Sequence, residues 1–357
     1  MSESSLRPQH SSARELSELC AEFELESPDD LDQVEITGVA SRASDAAAGD
    51  LYVSLIESDR IAETESACAA VESGAVAVVS AQPKALRKRS IGVPVIAVDN
   101  PADALGPISA WVYRTEQNPA RILGVTGGSN RREVAELVDL VLTLLGQSSA
   151  LVVDGTARLD HHLGGEFVAA LRADELHAML ARMRELRIGT ATLELSGEDL
   201  CTQLADSIEI DVVSYCGGYE AGSNALDALI DTLTPERSRR AVVLVSDPLA
   251  SQLIEESRVP IATVSTDGTD ADWQAKIAKR GKFILCGRDD RKIRTTIQAA
   301  DLEQAGTSLA LALVLLEEAG WAMEQVQDAF DRLEVIDLQS RPSINPQDTE
   351  FVKGTTA

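Results

Sequence analysis

The first part of the chain alternates short runs of β-branched residues with segments that have the spacing of amphipathic helices. The runs that predict strands are YVSL, AVAVVSA and VPVIAVDN, and the segments that predict helices are SARELSELCAEF, AETESACAAVESG and PADALGPISAWVYR. Strands that alternate with helices indicate a small α/β domain. We place this domain at residues 12–117, because the polar, proline-containing stretch TEQNPAR follows its last helix.

The second part repeats the same alternation over a longer stretch. The strand-like runs are RILGVTG, SALVVDGT, TATLEL, DVVSYC, RRAVVLVSD, PIATVST and KFILCG, with helical segments between many of them. Runs buried on both faces and joined by helices predict a mostly parallel, doubly wound sheet. The predicted fold class is therefore α/β, with a small N-terminal domain followed by a P-loop-like central domain over residues 118–339.

The two ends of the chain are polar and have no hydrophobic period. Residues 1–11 carry MSESSLRPQHS, and residues 340–357 are rich in proline, serine and threonine. Such composition cannot bury a core, so both ends are predicted to be flexible tails.

Composition narrows the classes of partner. The 357 residues carry a net charge of −26, and aromatic residues make up only 3%. Nucleic acid and anionic membranes are poor partners for so acidic a chain, because both attract basic surfaces. No run approaches the roughly 20 apolar residues of a membrane span, so membrane insertion is not expected.

The cysteines indicate the compartment. The five cysteines are scattered, odd in number and never form a CxxC pair, which indicates reduced thiols rather than disulfides or a zinc site. The N-terminus has no apolar core of a signal peptide. We therefore expect a cytoplasmic protein.

The stretch ILGVTGGSNRREV joins an apolar strand to a helix through a glycine turn, which is the layout of a phosphate-binding loop. Asn130 tolerates the left-handed backbone that a glycine adopts in such loops. Two interpretations stay open: the loop cradles phosphate, or its glycines only permit a tight turn. The candidate phosphate-loop residues are Gly124, Thr126, Gly127, Gly128, Ser129, Asn130 and Arg131.

The order of motifs along nearly the whole chain resembles the Mur ligases of peptidoglycan synthesis, and among them the MurE type. The matching stretches are GVASRASDAAAGDLYVSL, ESGAVAVVSA, VPVIAVDNPADALG, ILGVTGG, DELHAMLARMREL, ATLELS, TPERSRRAVVLVSDP and TSLALALVLLEEAGWAMEQVQDAFDRL. The resemblance implies that Ser41 and Arg42 contact a UDP-sugar precursor. It also implies that Glu194 helps to bind magnesium and that Asp247 lies on the adenine side.

Several positions depart from the family pattern. The lysine and hydroxyl of the phosphate loop are Arg131 and Arg132, and a histidine of the magnesium motif is Glu198. Cys216-Gly217-Gly218 replaces a Thr-Asn pair, and the segment that carries the family's carbamylated lysine has no lysine. The family's third, ligase domain has no counterpart in this sequence, so the resemblance predicts that this domain is absent.

These departures lead to two hypotheses. The first is a pseudoenzyme with no catalytic residue and no cofactor, which binds a protein partner in cell-wall synthesis or cell division. The alternative is a divergent MurE-type ligase that uses ATP and magnesium and adds an amino acid to a UDP-N-acetylmuramoyl-peptide. For Glu194, a structural carboxylate and a metal ligand remain open. A further hypothesis is that Arg131 and Arg132 close the phosphate site by pairing with Glu194 or Glu198.

Overall fold

A computed structural model describes residues 6–26, 33–56, 59–160, 163–166, 171–202, 204–288, 291–333 and 335–338, with only the backbone described at 163–166. The tail predicted at residues 340–357 lies outside the described residues. The described helices are α1 (Leu16–Glu22), α2 (Arg60–Glu72), α3 (Pro83–Arg89), α4 (Pro101–Tyr113), α5 (Arg131–Leu144), α6 (Ala173–Leu186), α7 (Gly197–Cys201), α8 (Asn224–Thr232), α9 (Ala250–Glu256), α10 (Leu302–Glu318) and α11 (Met323–Phe330).

The described strands form three sheets. They are β1 (Arg14–Glu15), β2 (Glu35–Ile36), β3 (Gly38–Ala40), β4 (Asp50–Val53), β5 (Ala77–Ser80), β6 (Val95–Ala97), β7 (Arg121–Thr126), β8 (Ser149–Val153), β9 (Thr156–Leu159), β10 (Leu163–Glu166), β11 (Thr190–Leu195), β12 (Ile210–Tyr215), β13 (Ser238–Leu244), β14 (Ile261–Ser265), β15 (Trp273–Ala278), β16 (Lys282–Gly287), β17 (Lys292–Gln298) and β18 (Ile336–Asp337).

The chain divides into two compact units. Unit 1 contains Met1–Asn118, Ala170–Leu186 and Gln203–Ile208, and unit 2 contains Pro119–Ala169, Arg187–Thr202 and Glu209–Ala357. The domain boundaries predicted from the sequence stay predictions.

Unit 1 is built on a parallel sheet in the order β3-β4-β5-β6. Every residue of β4 and β5 is buried, which requires cover on both faces of the sheet. Successive side chains of β4 point to opposite faces of the sheet. Leu51 and Val53 pack with residues of α1, α4 and α6, whereas Tyr52 packs with residues of α2 and α3.

Residues near the N-terminus contact the body of unit 1. The Leu6 side chain is buried, and Arg7 donates two hydrogen bonds to the Asp50 carboxylate at 2.6 and 2.8 Å. The backbone N–H groups of Gln9 and His10 donate to Glu185. The described part of the predicted N-terminal tail therefore has specific partners.

Unit 2 contains a twelve-stranded sheet in the order β10-β9-β8-β11-β7-β12-β13-β14-β15-β16-β17-β18. The strands from β8 through β11, β7, β12, β13 and β14 to β15 are parallel to one another, and antiparallel pairs occur on either side of them. The predicted fold class, α/β with a mostly parallel central sheet, is confirmed.

The core of unit 2 lies between this sheet and the helices α5 and α10. Side chains from β7, β8, β12, β13 and β14 pack with Val134, Val138 and Leu142 of α5 and with residues of α10. Residues 308–316 of α10 are all buried, because the helix is apolar on every side. Even so, within the described part of the chain no helix combines the length and apolarity of a membrane span.

Candidate nucleotide site

The glycine loop lies at the point where the order of the parallel sheet reverses. The chain passes from β7 outward to β8, returns to β11 beside β7, and then crosses to β12 on the other side of β7. Thr126, the last residue of β7, pairs with Leu195 of β11 and Tyr215 of β12, so three strands end together. The carboxyl edge at such a reversal is where ligands of open α/β sheets bind.

The loop has the predicted backbone shape, and a glycine is required in it. Gly127 has φ +119°, and a Cβ added there would lie 2.6 Å from the Gly217 carbonyl oxygen. Gly124 lies inside β7, where it faces Ile210 and Leu195 rather than the loop. Asn130 precedes α5 with φ −88°, so it does not adopt the left-handed backbone that an asparagine tolerates. Ser129 is exposed.

The Arg131 side chain turns back onto the loop that precedes it. Its Nη1 donates to the carbonyl oxygens of Gly127 and Gly128 at 3.3 and 3.1 Å. Its Nε lies 3.0 Å from Oε1 of Glu194, whose side chain is only 5% exposed. The hypothesis that Arg131 pairs with Glu194 is therefore confirmed, and the predicted magnesium ligand faces a guanidinium.

Burial and hydrogen bonding compete at the Glu194 carboxyl. Burial raises the pKa of Glu194, whereas the Asp154 N–H and the Arg131 charge act to lower it. The Asp154 N–H donates to Oε2 of Glu194 at 2.9 Å, and Oε1 forms the ion pair with Arg131. Each carboxylate oxygen therefore has a partner within the protein.

Arg132 is held by other acids. It forms an ion pair with Asp154 and another with Glu136, at 2.8 Å from Nε to Oε1. Glu198 is exposed at the start of α7, and among the described residues it makes no ion pair with either arginine. The hypothesis that Glu198 helps to close the site is wrong.

The segment after β12 covers the loop. The Gly128 N–H donates to the Gly217 carbonyl oxygen at 2.6 Å. In a phosphate-binding loop this N–H would instead donate to a phosphate oxygen. The hydroxyls of Thr126 and Tyr219 are 2.5 Å apart. Gly217 and Gly218 both have positive φ, and this lets the segment pass close over the loop.

Asp247, predicted on the adenine side, anchors this covering segment. Its Oδ2 accepts from the Gly218 N–H at 2.9 Å, and its Oδ1 accepts from the Tyr215 hydroxyl at 3.3 Å and from the Leu249 N–H at 2.9 Å. The contacts of Asp247 are therefore internal to the protein.

The predicted precursor-binding pair of unit 1 is also satisfied internally. The backbone N–H and the hydroxyl of Ser41 donate to Asp174 at 2.8 and 2.9 Å, and Arg42 pairs with Glu175 at 2.8 Å. Burial raises the pKa of Asp174, and the hydrogen bonds from Ser41 oppose that rise.

Sequence reasoning missed four residues of these sites: Asp154, Tyr219, Asp174 and Glu175. Asp154 could have been found, because an Asp-Gly pair follows the buried strand β8 at the same sheet edge as the loop. Asp174 and Glu175 open α6, where acids are common for reasons of helix stability alone, so they gave no distinct signal.

Across the described residues, no three histidine, cysteine, aspartate or glutamate side chains are grouped as a metal site.

Comparison with known proteins identifies relatives that carry ligase names. The chain is 35% identical over 341 residues to a UDP-N-acetylmuramyl-tripeptide synthetase of Leifsonia xyli, covering 92% of this chain and 66% of that protein. It is 29% identical over 355 residues to a UDP-N-acetylmuramoyl-L-alanyl-D-glutamate–2,6-diaminopimelate ligase of Streptomyces avermitilis, covering 93% and 68%. No protein-family model matches the chain.

Solved structures share the fold. A UDP-N-acetylmuramoyl-L-alanyl-D-glutamate–2,6-diaminopimelate ligase superposes with a TM-score of 0.73 at 18% identity, over 90% of this chain and 67% of that one. MurF from Acinetobacter baumannii superposes with a TM-score of 0.63 at 16% identity, over 90% and 68%. The chain spans about two thirds of the length of the Leifsonia xyli and Streptomyces avermitilis relatives.

The fold and the site define an α/β protein with a glycine loop at the reversal point of a parallel sheet. The sequence relatives and the shared fold support its membership of the Mur ligase family.

Proposed function

We propose that this chain is a non-catalytic Mur-ligase-like protein of peptidoglycan synthesis, of the MurE type, and that it acts by binding rather than by ATP-driven ligation. The observation that carries the proposal is the Arg131 side chain, which occupies the loop and neutralises Glu194. The proposed process, peptidoglycan synthesis, is taken from the names of the relatives, which describe enzymes that act on UDP-N-acetylmuramoyl-peptides.

Opening the site has an energetic cost. A cation that binds Glu194 must displace Arg131 from a carboxylate that is almost fully buried. Because the Arg131 side chain is 28% exposed, solvent screens part of this ion pair, and breaking it costs about 1–3 kcal/mol. Each 1.4 kcal/mol is a tenfold change in a binding constant, so nucleotide affinity would fall by roughly one to two orders of magnitude.

The residues present do not fit a magnesium–nucleotide complex. Arg132 stands where a hydroxyl would hold the metal ion, and it is paired with Asp154. The Gly128 N–H is already bonded to Gly217, so the loop has lost one of the donors that a phosphate needs. Phosphoryl transfer depends on positioning and charge neutralisation by such groups, so these contacts support a non-catalytic role.

The relatives' ligase names favour a second candidate, a divergent MurE-type ligase that uses ATP and magnesium. In both proposals a UDP-sugar precursor is the small-molecule ligand and the protein acts in the cytoplasm. The first proposal also requires a protein partner.

A ligation assay separates the two candidates. The purified chain is incubated with ATP, Mg²⁺, UDP-N-acetylmuramoyl-L-alanyl-D-glutamate and diaminopimelate, and the tripeptide product and released phosphate are measured. We expect neither above the level of a protein-free control. A triple variant, Asn130→Gly, Arg131→Lys and Arg132→Thr, restores the Gly-Lys-Thr of the family loop and is also expected to be inactive, because Gly217 still covers the loop. Product formed by the natural chain would establish the ligase and refute the proposal.

A further inference from the structure

The antiparallel end of the unit 2 sheet has one side that faces the core and one that faces solvent. Trp273, Phe283 and Ile293, on β15, β16 and β17, pack with residues of α10 and α11. The side chains at the alternating positions point to the opposite side of the sheet. We call this opposite side the basic face. It is defined by its cations and by those of the turn between β15 and β16: Lys276, Lys279, Arg280, Lys282, Lys292 and Arg294.

The strand register brings the cations of the basic face together. Lys276 lies opposite Ile284, and Ile284 lies opposite Arg294, so these three residues form one row across the face. Strands lie about 4.8 Å apart, so the backbones of Lys276 and Arg294 are about 10 Å apart. Lys292 lies two residues from Arg294 on β17, and Lys282 lies two residues from Ile284 on β16, which is about 7 Å along each strand.

The cations of the basic face have no counter-charge in the part of the chain that the structure describes. All six are exposed, and none of them forms an ion pair with a described residue. Other arginines of unit 2 are engaged within the protein, as Arg131 is by Glu194 and Arg240 by Glu318. The charge of the basic face is therefore available to a partner.

Acidic residues are scarce around the basic face. Two described acids lie at its margins, Asp272 before β15 and Asp337 on β18, and Asp272 already has an arginine partner at 3.1 Å. Residues 274–298 contain eight lysines and arginines but only two acids, Asp289 and Asp290, which lie outside the described residues. A chain with a net charge of −26 thus carries a concentrated positive surface on these three strands.

We propose that the basic face docks an acidic surface of a partner protein. Charge complementarity gives the occupant its chemistry, because the free cations lie within about 10 Å of one another on a sheet face. Four of the six cations are lysines, and a lysine ammonium is a compact charge on a flexible stem. Such a face meets carboxylates in many arrangements. The inference gives a chemical class to the protein partner in the proposed function, and it rests on that function only in this respect.

Other polyanions fit the basic face less well. Proteins bind single-stranded nucleic acid largely by stacking its bases on aromatic side chains. Trp273 and Phe283, the aromatic residues of these three strands, pack into the core instead. An anionic membrane is a plane much wider than the face, so it would also meet the acidic remainder of the chain and repel it.

The probe is a fluorescein-labelled peptide of twelve residues in which glutamate and serine alternate. Alternate residues of an extended chain lie about 7 Å apart, which matches the spacing of Lys292 and Arg294. Fluorescence anisotropy measures binding to the full chain at low and at physiological salt. We expect saturable binding that weakens with salt, and little binding of the same peptide with glutamine in place of glutamate.

The variants test the location. The face variant combines Lys276→Glu, Lys292→Glu and Arg294→Glu, and it should weaken binding at least tenfold because three exposed ion pairs are lost. The same three positions changed to glutamine should give a smaller loss in the same direction, which guards against an effect of glutamate on folding. The matched control changes the net charge equally at exposed cations of α3 in unit 1, and it should lose less than about threefold in affinity; it combines Lys84→Glu, Lys88→Glu and Arg89→Glu.

Three results would overturn the inference. The first is that the glutamate peptide does not bind at low salt, and the second is that the α3 variant loses as much affinity as the face variant. The third is tighter binding of oligouridylate or of phosphatidylglycerol vesicles than of the peptide, when that binding is lost in the face variant. No ATP is present in the assay. Its failure would therefore leave the proposal about the glycine loop intact, and product in the ligation assay would leave this inference intact.

Discussion

Replacing Arg131 by alanine isolates the contact that closes the glycine loop. The variant leaves the Glu194 carboxylate with the Asp154 N–H as its remaining partner, in a position where its side chain is 5% exposed. Breaking a fully buried pair costs about 3–5 kcal/mol. Because the Arg131 side chain is 28% exposed, solvent screens part of the interaction, and we expect a loss of about 1–3 kcal/mol in the free energy of unfolding at pH 7.

The loss should depend on pH in a defined direction. Burial already raises the pKa of Glu194, and removal of Arg131, which lowers it, should raise this pKa further. A carboxyl whose folded pKa lies above its unfolded value stabilises the fold less as the pH rises between the two values. The destabilisation caused by Arg131→Ala should therefore be largest at pH 7 and smaller as the pH falls toward the ordinary glutamate pKa.

Urea unfolding at pH 7 and at acid pH measures both effects. In a unit of this size, 1 kcal/mol corresponds to about 2–4 °C in Tm, so a thermal scan checks the magnitude. Arg132→Ala is the matched control, because its pair with Asp154 is exposed and its pair with Glu136 is an i,i+4 helix pair, and each such pair is worth about 1 kcal/mol or less. Equal losses of stability for the two variants at pH 7, or a loss for Arg131→Ala that does not change with pH, would show that Arg131 does not stabilise a buried Glu194 carboxylate. Adding Glu194→Gln to Arg131→Ala should recover part of the loss.

Three further predictions concern other parts of the chain. Gly127→Ala should lower the free energy of unfolding of unit 2 by about 2 kcal/mol or more, because the new Cβ would meet the Gly217 carbonyl oxygen and the residue has positive φ. Gly146 also has positive φ but has no neighbour within 4 Å, so Gly146→Ala should cost about 1 kcal/mol in the same urea assay. Equal costs for the two variants would contradict the close contact at Gly127. Burial lowers the pKa of His177 to about 3, so unit 1 should lose stability as the pH falls below the ordinary histidine pKa of 6.5. The stability of a His177→Gln variant should depend less on pH between pH 7 and pH 5. An unchanged pH dependence in this variant would show that His177 is not the group responsible. The exposed Cys201 should react quickly with a disulfide reagent at neutral pH. Burial raises the pKa of the Cys216 thiol to about 12, so Cys216 should react only after unfolding. Rapid labelling of Cys216 in the native protein would contradict the structure.

The local shape of the site could be predicted from the sequence. An apolar strand, a glycine turn and an amphipathic helix are patterns of neighbouring residues, and β7, Gly127 and α5 appear where these patterns place them. The carboxyl edge of the sheet as the location of the loop also followed, because it depends only on strands that are parallel and joined by helices.

The partners of the site residues could not be predicted in the same way. Arg131 meets Glu194 because β11 pairs directly with β7, and strand order is a property of the folded sheet rather than of either segment. The hydrogen bond from the Gly128 N–H to the Gly217 carbonyl oxygen joins two backbone groups, so the side chains in the sequence do not predict it. A motif can therefore predict the backbone layout of a phosphate-binding loop without predicting which groups of the protein contact that loop.

The protein's own groups occupy the glycine loop, so ATP with Mg²⁺ should not bind there. Calorimetric titration of the natural chain with ATP and Mg²⁺ measures this binding. We expect no binding heat up to about 1 mM nucleotide, a limit that corresponds to about −4 kcal/mol of binding free energy. Binding at micromolar concentration, with a stoichiometry of one nucleotide per chain, would contradict it by showing that Arg131 and Gly217 give way to phosphate.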